Sequence, residues 1–223
     1  STAAHFARNA LDVLKDETFD KWFPIQKEVA EWMGDTRFVA HDSALINEEQ
    51  LQEMVAHLEP GDVLVERRNW FLSNVGLPGF WPHAALYVGD AAGLDAYLRD
   101  PDVERWLSTL PTKAKSFLEH LEKSMPEKAA RFRAPHPHDG QPIRVIEAIS
   151  EGVMLNSFEE SCRADYVAAM RPRLSKVDKA KAILQAFTVT GTPYDFNFDF
   201  ATDGALVCSE LVWKSYRPEM GKR

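Results

Sequence analysis

The chain has 223 residues, 45% of them hydrophobic and 11% aromatic, enough apolar material for one sizeable core. Its formal net charge of -8 makes a surface that repels phosphate backbones and anionic lipid heads, which argues against nucleic acid as a partner. Ordinary glycine, proline and charged-residue content excludes a fibrous or disordered chain, and no apolar run approaches the roughly 18 residues of a membrane span.

Residues 1–58 read as a helical N-terminal extension. Leu11, Leu14, Trp22, Ile25, Val29 and Trp32 recur at three- and four-residue steps until Met33-Gly34-Asp35 stops the pattern. A second helix is expected over Asn47–Leu58, capped by Asn47 or Ser43. Pro60-Gly61-Asp62 is a turn that launches the buried-strand run Val63-Leu64-Val65. Residues 66–82 read as a loop carrying Trp70, Phe71, Phe80 and Trp81. The strand His83-Ala84-Ala85-Leu86-Tyr87-Val88-Gly89 follows, ending at Gly89-Asp90.

Leu94, Leu98, Trp106, Leu107, Phe117 and Leu121 then sit among charges at helical spacing, as an inserted helical hairpin or lid within about 91–142. Residues 134–142 are a proline-rich loop. Strands are expected at 143–149, 153–155 and 166–170, and helices at 175–187 and 208–216. Strands grouped in the middle of the chain predict α+β, a short antiparallel sheet with helices packed on one side. The domain division is 1–58 for the extension and 59–223 for the remainder. Arg67-Arg68 and Arg171/Arg173 read as solvated surface pairs rather than a nucleic-acid patch.

Of the two cysteines, Cys162 follows Glu159-Glu160-Ser161, and acidic neighbours oppose a thiolate. Cys208 follows the polar stretch Thr202-Asp203-Gly204 and opens a helical pattern. A thiol in a first helical turn sees unpaired N–H groups and the positive end of the dipole, which lower its pKa. The plain alternative is a buried cysteine, because Leu211 and Val212 share its face. A thiolate needs a base. Of seven histidines, only His83 opens an apolar strand directly after an aromatic loop. Glu147, a carboxylate inside an apolar strand on the side of Ile143 and Val145, would be costly to bury without a cationic partner, and an imidazolium is such a partner. His136-Pro137-His138-Asp139 reads as an ordinary loop rather than a metal site.

Five segments occur in order: Gly61-Asp62-Val63-Leu64-Val65, Pro82-His83-Ala84-Ala85-Leu86-Tyr87-Val88-Gly89, Val145-Ile146-Glu147-Ala148, Gly191-Thr192-Pro193-Tyr194-Asp195-Phe196 and Cys208-Ser209-Glu210-Leu211-Val212. Together they resemble the permuted NlpC/P60 superfamily, specifically the YiiX/YaeF-like amidases, over about residues 60–216. In ordinary papain-like enzymes the cysteine helix precedes the histidine strand; here it comes last. The resemblance implies a circularly permuted papain-like fold with Cys208 as nucleophile, His83 as base and Glu147 as third member. It implies a binding or structural role for Tyr194 and Asp195 beside the cleft, and no metal or cofactor. The helical extension and the long stretch 90–142 depart from a minimal member, so the substrates of the family transfer poorly.

The expected activity is cleavage of an amide, such as a cell-wall-like peptide bond, through a thioacyl intermediate. Phe80 and Trp81 would line the substrate pocket if the aromatic loop is not core. Two rival readings are a lipid thioesterase or acyltransferase with the same triad, and a non-catalytic module that binds a protein partner. A small peptide, amide or lipid is therefore the expected partner. Oligomeric state and compartment stay open.

Overall fold

The computed structural model describes residues 44–69, 80–195 and 206–220. The expected helix before residue 44, the ring positions Trp70 and Phe71, and the polar lead Thr202-Asp203-Gly204 lie outside them.

A helix α1 (Glu48–His57) comes first, closed at its start by a reciprocal capping box between Asn47 and Gln50. Strand β1 (Val63–Arg67) and strand β2 (His83–Tyr87) follow. Four short helices occupy the next stretch: α2 (Ala91–Tyr97), α3 (Pro101–Thr109), α4 (Phe117–Ser124) and α5 (Pro126–Arg133). Strands β3 (Ile143–Ile149) and β4 (Gly152–Ser157), the short helix α6 (Phe158–Ser161) and strand β5 (Tyr166–Met170) complete the sheet region. Helices α7 (Lys176–Val189) and α8 (Cys208–Met220) end the chain.

Among the described residues the sheet has five strands in the order β4-β3-β2-β1-β5, every neighbouring pair antiparallel. The fold is mixed α+β, as the grouping of strands predicts. Side chains alternate between two faces. Leu86, Ile146 and Ala148 face a large core with Ile183 and Phe187 of α7 and Leu211 and Tyr216 of α8. Leu64, Ala85, Tyr87 and Val145 face a smaller cluster with Leu51 of α1 and Phe158 and Cys162 at α6. Helices therefore cover both faces, not one.

Four further expectations need correction. β1 runs on to Arg67, so part of the presumed 66–82 loop is strand. The 91–133 stretch is four helices rather than a hairpin. Leu94, Leu107, Phe117, Leu121 and Phe132 belong to the main core, so this stretch is structural mass and not a lid. Ile143 does not share the face of Val145 and Glu147. A bulge between Ile143 and Val145 breaks the alternation and turns Ile143 toward the main core. Finally, Arg171 is not merely solvated: it forks onto Asp62 at 2.9 and 2.8 Å and holds the turn before β1.

Two contacts bring the late chain to the sheet. Gly152 has φ +110, and a Cβ there would meet the Thr192 carbonyl at 2.6 Å. Only glycine lets residues 191–194 lie so close, where Val153 N–H donates to the Thr192 carbonyl and Gly191 N–H to the Val153 carbonyl, each at 2.8 Å. Tyr194 then bridges to Leu206, two residues before α8. The Tyr216 hydroxyl donates to the Gly61 carbonyl and pins α8 against the start of β1.

Candidate active site

Cys208 is the first residue of α8 and is 9% exposed. Its Sγ lies 3.9 Å from the Pro82 carbonyl, the residue before β2. The backbone N–H groups of Ala84 and Ser209 and the ring of His83 also hydrogen-bond the sulfur. Burial by itself would raise the thiol pKa. The His83 hydrogen bond and charge, with the two N–H donors, outweigh burial and hold the thiol below its ordinary value.

His83 begins β2, where the ring stands at the strand end with 20% of its side chain exposed. Its Nε2 lies 2.8 Å from Glu147 Oε2, which leaves Nδ1 for the sulfur. Burial opposes the ring's charge. The contacts with Cys208 and Glu147, together with the field of Glu66, prevail and place its pKa well above the ordinary histidine value. The lowered thiol and the raised imidazole both favour the charged forms of the two groups.

Glu147 sits in β3 opposite Ala85 of β2, on the same sheet face as His83. It is 1% exposed. Desolvation would favour its protonated form, but the His83 bond, the His83 charge and a 2.7 Å bond from Asn156 Nδ2 to Oε1 keep it below the ordinary carboxylate value. Both carboxylate oxygens are thus engaged, one by the ring and one by the amide.

The structure brings Cys208, His83 and Glu147 together in that sequence of contacts. It brings Tyr194 near: burial and the negative charge of Cys208 both push the phenol pKa up. Asp195 is buried, and its backbone N–H donates to the Leu206 carbonyl at 3.2 Å, part of the link that aims α8. Phe80 and Trp81 are 51% and 40% exposed, which decides against core packing. They meet edge-to-face at 4.9 Å, and Phe80 also meets Tyr166 at 5.3 Å. Trp81 directly precedes Pro82, so the aromatic pair stands beside the sulfur's neighbour in the chain.

Cys162 is 1% exposed, and burial with the charges of Glu66 and Glu147 drives its thiol well above the ordinary range. His136 is also buried, bonded through Nδ1 to Asp139 at 3.1 Å. Asp139 in turn accepts from Ser157, which makes the 134–142 loop a structural clasp. Among the described residues no group of three His, Cys, Asp or Glu side chains is arranged to hold a metal ion, and no helix is long and apolar enough to cross a membrane.

Two residues at this site escaped the reading of the sequence. Asn156 carried no local signal, because its role depends on the β3–β4 register. Glu66 did carry one: it is a carboxylate in an apolar strand, the same criterion that picks out Glu147. It is 6% exposed and its pKa is raised by burial.

A family model described as "Permuted papain-like amidase enzyme, YaeF/YiiX, C92 family" matches residues 57–223. No curated protein and no solved structure matches the chain.

Proposed function

Because the chain belongs to the permuted papain-like amidase family, we propose that its hydrolysis runs through Cys208 as nucleophile, His83 as base and Glu147 as orienting carboxylate. The observation that carries this reading is the continuous contact from a thiol at a helix start, through one ring nitrogen, to a buried carboxylate at 2.8 Å on the other.

The Cys208 thiolate attacks the carbonyl carbon of an amide. The carbonyl electrons move onto oxygen, and the tetrahedral species collapses as the C–N bond breaks. The His83 imidazolium donates its proton to the departing amine, leaving a thioester on Cys208. Water then gives a proton to His83 Nδ1 and attacks the thioester. The tetrahedral species collapses as the C–S bond breaks, the acid departs, and the expelled Cys208 thiolate is left beside the His83 imidazolium, as at the start. Glu147 keeps the ring's Nε2–H directed away from the sulfur and stabilises the charged ring throughout. The backbone N–H of Cys208, in the first turn of α8, is suited to hold the developing oxyanion. Trp81 and Phe80 offer an exposed aromatic surface for an apolar portion of the substrate, with Tyr194 on the α8 side. Asp195 acts through the backbone link that holds Tyr194 and α8 in register.

The test has two parts. Native protein treated with iodoacetamide should be alkylated at Cys208 and not at Cys162; faster modification of Cys162 would refute the assignment of the nucleophile. Incubation with a cell-wall stem peptide and, separately, a phospholipid, followed by mass spectrometry, separates amide from ester chemistry. Peptide cleavage lost in Cys208→Ala supports the amidase reading. Cleavage of the lipid alone would replace it with an acyl-ester activity on the same residues.

A further inference from the structure

Glu66 is a buried acid that the mechanism above leaves unused. In the β1–β2 ladder it is the direct partner of His83, so the two side chains share a sheet face. That face also carries Glu147, because Glu147 opposes Ala85 two residues along β2. The charged and titratable groups facing Glu66 come from every side. His83 lies on β2 and Glu147 on β3. Arg68 follows β1, with Nη2 3.5 Å from Glu66 Oε1. Cys162 closes α6. The β5 neighbour, Val167, is uncharged. Arg68 is itself held in place by the Ser161 and Glu160 carbonyls, at 3.0 and 3.4 Å.

One imidazole thus stands among two buried carboxylates. Two buried carboxylates on the sheet face of one base are more than packing requires. An apolar residue opposite a strand histidine would fill the same space without desolvating a carboxylate. We infer that Glu66 is a second acidic positioning residue of the site: from β1 it faces the His83 ring and, when ionised, holds the ring's proton in place. This rests on the reading of His83 as the base. Glu147 bonds the ring and sets its direction; Glu66 acts through its charge. Burial makes Glu66 ionise later than a surface carboxylate, and once ionised its charge favours the imidazolium. The effect is to extend the thiolate–imidazolium pair toward alkaline pH.

The test reads the ring directly and needs no substrate. The His83 ring signal is followed by NMR across pH in Cys208→Ala protein, assigned by its absence in His83→Gln, and compared with the same protein carrying Glu66→Gln. Glutamine keeps the shape and removes the charge. The His83 midpoint should fall by about one pH unit, the usual scale for loss of a neighbouring opposite charge. A purely structural Glu66 would lower the melting temperature and leave the midpoint unmoved, and that result overturns the inference. If Glu66→Gln does not fold, Glu66→Asp decides. It keeps the charge but withdraws it by one methylene, so a lowered midpoint supports the inference and an unchanged one overturns it. Failure of Cys208 to react with iodoacetamide would instead strike the proposed function, and the ring titration would stand apart from it.

Discussion

Replacing Glu147 by glutamine removes one charge behind the imidazole with little change of shape. In the native site the carboxylate accepts from His83 Nε2 at 2.8 Å and from Asn156 Nδ2 at 2.7 Å. The amide in its place must present an NH2 group to one of two donors, so one bond is lost as well as the charge. A charge-assisted hydrogen bond contributes about 1.5–3 kcal/mol, which corresponds to roughly one to two pKa units at His83. The ring then releases its proton sooner, and the thiol rises back toward its ordinary value. Below the native thiol pKa the thiolate population should drop by roughly 10- to 100-fold. The assay is the rate of iodoacetamide alkylation at Cys208 as a function of pH, with the fold checked by circular dichroism. The variant should lag most in mild acid and converge with the wild type above the ordinary thiol pKa, where the thiolate no longer needs a partner.

Stability adds an independent reading. Glu147 has a lowered folded pKa, so its contribution is present above its unfolded value and is lost as pH falls through the folded one. His83 has a raised folded pKa, so its contribution is present below its unfolded value and is lost as pH rises through the folded one. The stability advantage of the wild type over Glu147→Gln should therefore peak between the reference values of 4.5 and 6.5 and narrow on both sides. A folded variant with the alkylation profile of the wild type would refute the claim that Glu147 supports the ring's charge.

Three further outcomes are expected. Asn156→Ala leaves Glu147 Oε1 without its buried donor, so melting should reveal a loss of about 1–3 kcal/mol together with a slower Cys208 alkylation in acid. Gly152→Ala places a Cβ 2.6 Å from the Thr192 carbonyl at φ +110, and should cost about 2 kcal/mol or more, read as a lowered melting temperature. Tyr216→Phe removes the hydroxyl that holds the Gly61 carbonyl and should cost about 1 kcal/mol in chemical denaturation, with the alkylation profile of Cys208 retained.

Some of this was legible along the chain because its causes are local. Pro60-Gly61-Asp62 and Gly89-Asp90 punctuate apolar runs too short for helices, so β1 and β2 stood out. His83 was conspicuous at the head of such a run, and Cys208 at the head of a helical period. Glu147 was legible because a carboxylate among Ile, Val and Ala needs a reason. Glu66 meets the same test, yet the following Arg67-Arg68 makes the segment look like a charged loop.

Residue type and immediate neighbours singled out Cys208, His83 and Glu147 as candidates, and the order of the motifs, through the family resemblance, supplied their roles and the permutation. Tertiary structure decided which ring nitrogen meets which partner, that Asn156 secures Glu147, that Glu66 faces His83, and that the 91–133 helices build the core. Those outcomes depend on strand register and on a bulge at Ile143. A shift of one residue in a ladder sends a side chain to the opposite face, and no local pattern encodes that choice.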